Sequence, residues 1–120
     1  MRRVIACFFL LCAGCAPASV EDFRLQGETE TRKLLIELRA IETKEDLGRA
    51  LPRIKKRFNK IADVLIGIHE CPERGSKYSS PLGEELFAEL ARLYEIPGAR
   101  NLIESAQFEA VRRLDTHRVF

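Results

Sequence analysis

The chain has 120 residues, a length that suits one small domain with a modest core. It carries 20 lysines and arginines against 18 aspartates and glutamates, so no bulk basic character argues for a nucleic-acid-binding protein. The sequence also lacks a glycine-rich phosphate-binding motif, and none of its segments alternates like a strand. These features exclude a nucleotide-binding α/β domain and favour an all-α protein.

The first sixteen residues have the organisation of an export signal. Two arginines precede an apolar run at residues 4–11, which is too short to span a bilayer, and the run leads to Ala13-Gly14-Cys15. This order resembles the lipobox of bacterial lipoproteins. The resemblance implies that residues 1–14 are a signal peptide, which is removed, and that Cys15 carries the lipid. The alternatives are an ordinary signal peptide cut after Ala16 or Ala18 and an uncleaved apolar helix.

Lipidation would place a neutral domain close to a membrane. Loss of Arg2 and Arg3 with the signal reduces the basic residues to 18, against 18 acidic ones. Residues 15–18 then form the lipidated cysteine and a tether whose last three residues span on the order of 10 Å. Residues 19–120 form the domain. In diderm members of the resembling family an aspartate after the cysteine often retains the protein in the inner membrane, so Ala16 favours the outer membrane.

The first predicted helix runs from Ser19 to about Glu42. Ser19 and Asp22 have the spacing of a capping box. The apolar or small residues that follow share one helical stripe, which predicts a helix with one buried face. That stripe consists of Val20, Phe23, Gly27, Thr31, Leu34, Leu38 and Ile41.

The second predicted helix is the strongest in the chain. Thr43 and Asp46 form another capping box, and a single apolar face then persists for six turns. Pro52 falls inside this helix, and we expect a kink near Gly48 rather than a break because the apolar face keeps its phase. The face consists of Leu47, Leu51, Ile54, Phe58, Ile61, Ala62, Leu65 and Ile68.

Two shorter helices are predicted after an exposed loop at residues 71–79. Ser80 and Pro81 suit the N-cap and first position of the third helix, which ends before the turn at 96–98. The last helix is expected over Ala99–Thr116, packed against its predecessor as an antiparallel hairpin. The sequence therefore predicts a small antiparallel bundle of three to four helices.

Motifs that would indicate a metal site or a catalytic site are weak in this sequence. The segment 69–73 begins like the zinc motif His-Glu-x-x-His, but Glu73 replaces the second histidine and Pro72 interrupts the turn. The serines near residue 80 have no Gly-x-Ser-x-Gly context. We therefore expect no metal, no cofactor and no enzymatic activity, and a metal-dependent enzyme is kept only as an alternative.

A basic stripe lies opposite the apolar face of the second helix. Its members fall within a sector of about 100° at helical spacing. Such a stripe is either a solvated face screened by acidic neighbours or a contact for anionic headgroups or an acidic ligand. The stripe consists of Arg49, Arg53, Lys56, Arg57 and Lys60.

Cys71 is the one unmodified thiol of the mature chain. It either pairs with a second copy, giving a disulfide-linked homodimer, or packs under the loop as a small apolar residue. Four apolar residues off the core stripes would form a docking patch if they met on one surface. These residues are Leu35, Ile36, Phe108 and Val111.

Together these features predict a membrane-anchored envelope lipoprotein that serves as a structural or protein-interaction module. Its partners would be the membrane, through the anchor, and an envelope protein that the sequence does not name. Two further alternatives stay open at this point, a membrane-surface or acidic-ligand binding module and a secreted soluble helical protein.

Overall fold

The structure, a computed structural model, describes residues 19–71 and 81–119. These ranges contain four helices, α1 (Val20–Arg39), α2 (Lys44–Glu70), α3 (Gly83–Tyr94) and α4 (Ala99–Thr116), and no strand. The predicted all-α helical bundle is confirmed. The proposed signal, Cys15, the tether and most of the predicted loop lie outside the described residues. Within the described part, no helix combines the length and the apolar composition needed to cross a membrane.

Capping boxes begin α1 and α2, as predicted. The Ser19 hydroxyl accepts a hydrogen bond from the Asp22 N–H at 3.2 Å, and the Asp22 carboxylate accepts one from the Ser19 N–H at 3.2 Å. Thr43 and Asp46 form the same reciprocal pair at 3.1 and 3.2 Å. Because the first turn of a helix leaves N–H groups without intrahelical partners, these local bonds determine where both helices start.

α1 ends at Arg39, three residues before its predicted end. Arg92 of α3 donates hydrogen bonds to the carbonyl oxygens of Leu38 at 2.8 Å and of Ile41 at 2.9 Å. The last carbonyl groups of a helix lack i+4 backbone donors, and the Leu38 carbonyl accepts both this guanidinium and the N–H of Ile41. Arg92 therefore stabilises the chain where it leaves α1.

α2 is the central helix and packs against α1 on one side and α4 on the other. The contacts of α1 move backward along α2 as α1 advances, which shows that these two helices are antiparallel. The contacts in order are Phe23 on Gly67, Glu30 with Arg57, and Glu37 with Arg53. Gly67 has no room for a side chain, since a Cβ there would lie 2.5 Å from the Phe23 ring.

α4 runs parallel to its neighbour α2. Lys55 pairs with Glu109, and Asn59 accepts a hydrogen bond from Arg113, so the partners stay 54 residues apart in both contacts. α3 contacts α1 and α4 but not α2, and so lies across the core from the central helix. α1 and α2 thus run in opposite directions, while the neighbours α2 and α4 share one direction.

The turn between α3 and α4 is as short as predicted, and the two helices contact each other. Gly98 has a φ of 82°, the left-handed region that favours glycine, and directs the chain into α4. α3 then packs more extensively against α1 than against α4. Polar contacts accompany this packing, because Glu85 and Glu89 of α3 both face Arg39 of α1.

The core has two parts that Phe58 joins. The larger part collects fully buried side chains from all four helices, and the smaller part lies between α2 and α4. Phe58 is half-buried and packs against both. The largest buried side chains of the first part include Leu34, Leu38, Leu47, Ile54, Leu93 and Ile103, and the second part consists of Ala62, Ile66, Ala110 and Leu114.

More residues of α1 and α2 are buried than the single apolar stripe predicted for each helix. Val64 and Ile66 lie off the predicted face of α2, yet they are only 4% and 8% exposed, and Leu35 of α1 is 1% exposed. The reason is that α2 has neighbours on two sides and α1 packs against both α2 and α3. Pro52 lies within α2 without breaking it, as predicted.

The predicted start of α3 is wrong. The helix begins at Gly83, and Leu82 occupies the N-cap position with no side-chain hydrogen bond to the first turn. Pro81 therefore lies in the preceding turn and not at the first helical position. Leu82 has ψ near −1°, off the helical value, but its carbonyl accepts the hydrogen bond of Leu86 at 3.0 Å.

α4 ends in a Schellman motif at a non-glycine residue. The N–H of Val119 donates to the Leu114 carbonyl and that of Arg118 to the Asp115 carbonyl, both at 3.0 Å. Arg118 has a φ of 56°, a conformation that residues with a Cβ adopt at a cost. Val119 compensates by packing against the smaller part of the core.

Because Phe58 joins the two parts of the core, Phe58→Ala is expected to lower the free energy of unfolding by roughly 2–4 kcal/mol. Phe108 is 69% exposed and provides the matched control, for which we expect a loss below about 0.5 kcal/mol. Urea unfolding followed by circular dichroism measures both. Equal losses in the two variants would show that Phe58 does not contribute to the core.

Because Arg118 holds a left-handed conformation, Arg118→Gly is expected to raise the free energy of unfolding by roughly 0.5–1 kcal/mol. The same replacement at the exposed Arg112, inside α4, should lower it by a similar amount, because glycine weakens a helix interior. Thermal unfolding of the two variants gives opposite shifts in Tm. A lower Tm for Arg118→Gly would contradict the Schellman geometry.

Candidate functional site

The basic stripe of α2 divides into two halves in the structure. On the side that faces α1, Arg57 forms a 3.1 Å ion pair with Glu30, and Arg53 lies 3.7 Å from Glu37. The two carboxylates are only 16% and 18% exposed, so α1 presents them to α2 rather than to solvent. This half of the stripe is neutralised and helps to hold the two helices together.

Arg49 is also paired, but locally. Its guanidinium lies 2.7 Å from the carboxylate of Asp46, one turn earlier on α2. That carboxylate accepts hydrogen bonds from the backbone N–H groups of Glu42 and Thr43. These bonds, with a smaller contribution from Arg49, hold the pKa of Asp46 below its usual range.

Lys56 and Lys60 form the other half of the stripe. Both side chains are exposed, and neither has a carboxylate within ion-pair distance among residues 19–71 and 81–119. They lie one turn apart, on the outer surface of α2 away from the core. The unneutralised charge of the predicted stripe is therefore confined to these two lysines.

A groove between α2 and α4 contains both lysines. It has a volume of about 420 Å³ and is open to solvent. Four of its lining residues are cationic and two are anionic, which leaves the groove with a positive excess of two charges. We call it the α2–α4 groove, and its lining consists of Pro52, Lys55, Lys56, Asn59, Lys60, Asp63, Glu109 and Arg113.

Both carboxylates of the α2–α4 groove are occupied by cations of the same groove. Arg113 pairs with Asp63 and also donates to Asn59 Oδ1 at 3.3 Å, while Lys55 Nζ lies 3.5 Å from Glu109. These contacts bridge α2 and α4 and fix the walls of the groove. The positive excess therefore belongs to Lys56 and Lys60.

An apolar recess continues the groove toward the start of α2. It has a volume of about 350 Å³ and shares Pro52 and Lys55 with the groove. Its other lining residues are Leu51, Ser105 and Ala106. The small side chains of α4 leave this space open beside the proline ring. The apolar recess and the basic groove therefore adjoin at Pro52 and Lys55.

Sequence patterns predicted the α2 lysines but missed the α4 side of the groove. Glu109 and Arg113 are spaced one turn apart, and nothing in the sequence of α4 distinguishes a residue that lines a groove from one that faces solvent. The missing information is the parallel pairing of α2 and α4, which no local pattern specifies.

The remaining predicted residues are dispersed. Cys71 follows α2, is half-buried and forms no disulfide with another described residue. Nearby, Glu70 lies 3.5 Å from His117. Among the described residues no three metal-ligating side chains cluster, and Glu73 falls outside them. Cys15, the predicted lipidation site, also lies outside.

The predicted apolar docking patch is incomplete. Ile36, Phe108 and Val111 are 62%, 69% and 51% exposed, but Leu35 belongs to the core. Phe87 of α3 is 75% exposed. Phe108 and Val111 lie three residues apart on α4, whereas Ile36 and Phe87 lie on α1 and α3.

No protein-family model matches the chain, and no curated protein or solved structure is significantly similar to it.

Because hydrogen bonds lower the pKa of Asp46 in the folded state, its ionised form contributes stability above its unfolded pKa, and this contribution is lost as the pH falls through the folded pKa. Asp46→Asn should therefore lower Tm at pH 7, and the difference from the parent should shrink below about pH 4. Thermal unfolding at pH 7, 5 and 3 tests this. A difference that does not change with pH would show that the charge of Asp46 contributes nothing.

Proposed function

We propose that the protein is a lipid-anchored interaction module of the bacterial cell envelope, attached to the membrane through Cys15. The start of the fold carries this proposal. Helical structure begins directly after the Ser19 cap, four residues beyond the lipobox cysteine. Four extended residues reach only about 14 Å, so the bundle is held against the bilayer. Such a protein has little freedom to reach distant partners.

The short tether also orients the domain. Phe23, near the start of α1, packs on Gly67 near the end of α2, and Glu70 lies beside His117 at the end of α4. The start of α1 and the ends of α2 and α4 therefore share one end of the bundle. We propose that this end faces the membrane, while the turn between α3 and α4 points away from it.

An interaction role fits the surface better than catalysis. The α2–α4 groove is open to solvent and charged, and it runs along the side of the bundle. Its ionic side chains either pair with one another, as Arg113 does with Asp63 and Lys55 with Glu109, or extend into solvent. We therefore propose binding rather than turnover, in the outer membrane as Ala16 favours.

The lipid anchor is tested by replacing the cysteine that would carry it. Cys15→Ser should abolish incorporation of a labelled fatty acid and leave the precursor uncut, because the thiol is the acceptor of the diacylglyceryl group. Mass spectrometry of the protein from bacterial envelopes measures both effects.

Cys71→Ser is the matched control, since it removes a thiol from the same chain and should leave labelling intact. A mature N-terminus beginning after Ala16 or Ala18 would instead identify a secreted protein. Undiminished labelling of Cys15→Ser would place the lipid elsewhere and overturn the anchor.

A further inference from the structure

The spacing of residues along the α2–α4 groove matches that of a short extended peptide. Pro52, Lys56 and Lys60 follow one another at intervals of one turn, about 6 Å along the axis of α2. Alternate residues of an extended chain are about 6.6 Å apart and point to the same side. Three alternate side chains of one extended segment therefore match the apolar recess and the two lysines in turn.

The chemistry of the groove and of its adjoining recess indicates which kinds of peptide side chain would fit these three positions. The recess beside Pro52 is lined by aliphatic and small groups, which suit an apolar side chain. Lys56 and Lys60 carry the charge that the groove's own carboxylates leave uncompensated, because Asp63 and Glu109 already pair with Arg113 and Lys55. Each free ammonium group thus suits a carboxylate from outside the chain.

We propose that the α2–α4 groove binds an acidic extended segment of an envelope protein, in which an apolar residue and two carboxylate residues occupy alternate positions. The inference rests on the proposed function and names the partner chemistry of that module. The apolar side chain enters the recess at Pro52, and the carboxylates pair with Lys56 and Lys60.

The position of the groove favours a protein segment over the bilayer itself. Lys60 lies ten residues before the end of α2, which places it about 15 Å from the membrane-facing end of an upright bundle. Surface charges more than about 8–10 Å apart are largely screened at physiological salt. A partner that stands beside the bundle reaches the groove, whereas headgroups below it do not.

The test uses the full chain in nonionic detergent and a fluorescent synthetic peptide with the sequence Leu-Ser-Glu-Ser-Glu. We expect saturable binding by fluorescence anisotropy that weakens as salt is added. Lys56→Gln/Lys60→Gln should reduce the affinity about 10-fold. A peptide with serine in place of leucine should also bind more weakly, because it leaves the recess empty.

Arg32→Gln/Lys33→Gln is the matched control. It removes the same net charge from exposed positions of α1 that do not line the groove, and its affinity should stay within about 2-fold of the parent. Lys56→Arg/Lys60→Arg should retain binding. Circular dichroism confirms that every variant keeps its helical content.

Three outcomes would overturn the inference. Equal losses in the glutamine variants of the groove and of α1 would indicate only bulk attraction. Flotation of the Cys15→Ser chain with anionic but not neutral phospholipid vesicles, dependent on Lys56 and Lys60 and without peptide binding, would assign the lysines to the membrane. Binding of neither probe would leave them as solvated residues. None of these results affects the acylation test at Cys15, so the lipid-anchor proposal and the peptide-binding proposal are tested independently.

Discussion

The coverage of α2 on two sides is the constraint from which the rest of this fold follows. A helix of 27 residues with α1 on one flank and α4 on the other must bury more than a single stripe, which is why Val64 and Ile66 join the core. The same arrangement leaves α3 no place beside α2, so it closes the far side of the core. Phe58 then lies where the two core regions meet.

The two flanks of α2 also determine what happens to its charge. Glu30 and Glu37 of α1 are partly buried and neutralise the arginines that face them. α4 brings Glu109 together with a cation of its own, Arg113, so the flank that faces α4 gains no net negative charge. A stripe that looks uniform in sequence thus becomes neutral on one side of the helix and positive on the other.

The extent to which the sequence predicts this molecule depends on the range of each interaction. The capping boxes at Ser19 and Thr43 are complete within four residues, and both helix starts were predictable for that reason. The end of α1 depends on Arg92, more than fifty positions away, and could not be predicted. The α4 wall of the groove was missed for the same reason, because one helical pattern does not specify its neighbour. The lipobox-like signal is a local motif, and its function stays a prediction.

The parallel pairing of α2 and α4 has a consequence for how the domain folds. α1 and α2 are joined by a short turn, so their contacts near that turn close only small loops of chain. Partners across α2 and α4 remain 54 residues apart along the pairing, because parallel helices advance together. Contacts of large sequence separation form more slowly, since more chain entropy is lost before they are made. The first two helices can therefore associate before the last helix attaches. Synthesis from the N-terminus produces the helices in this same order.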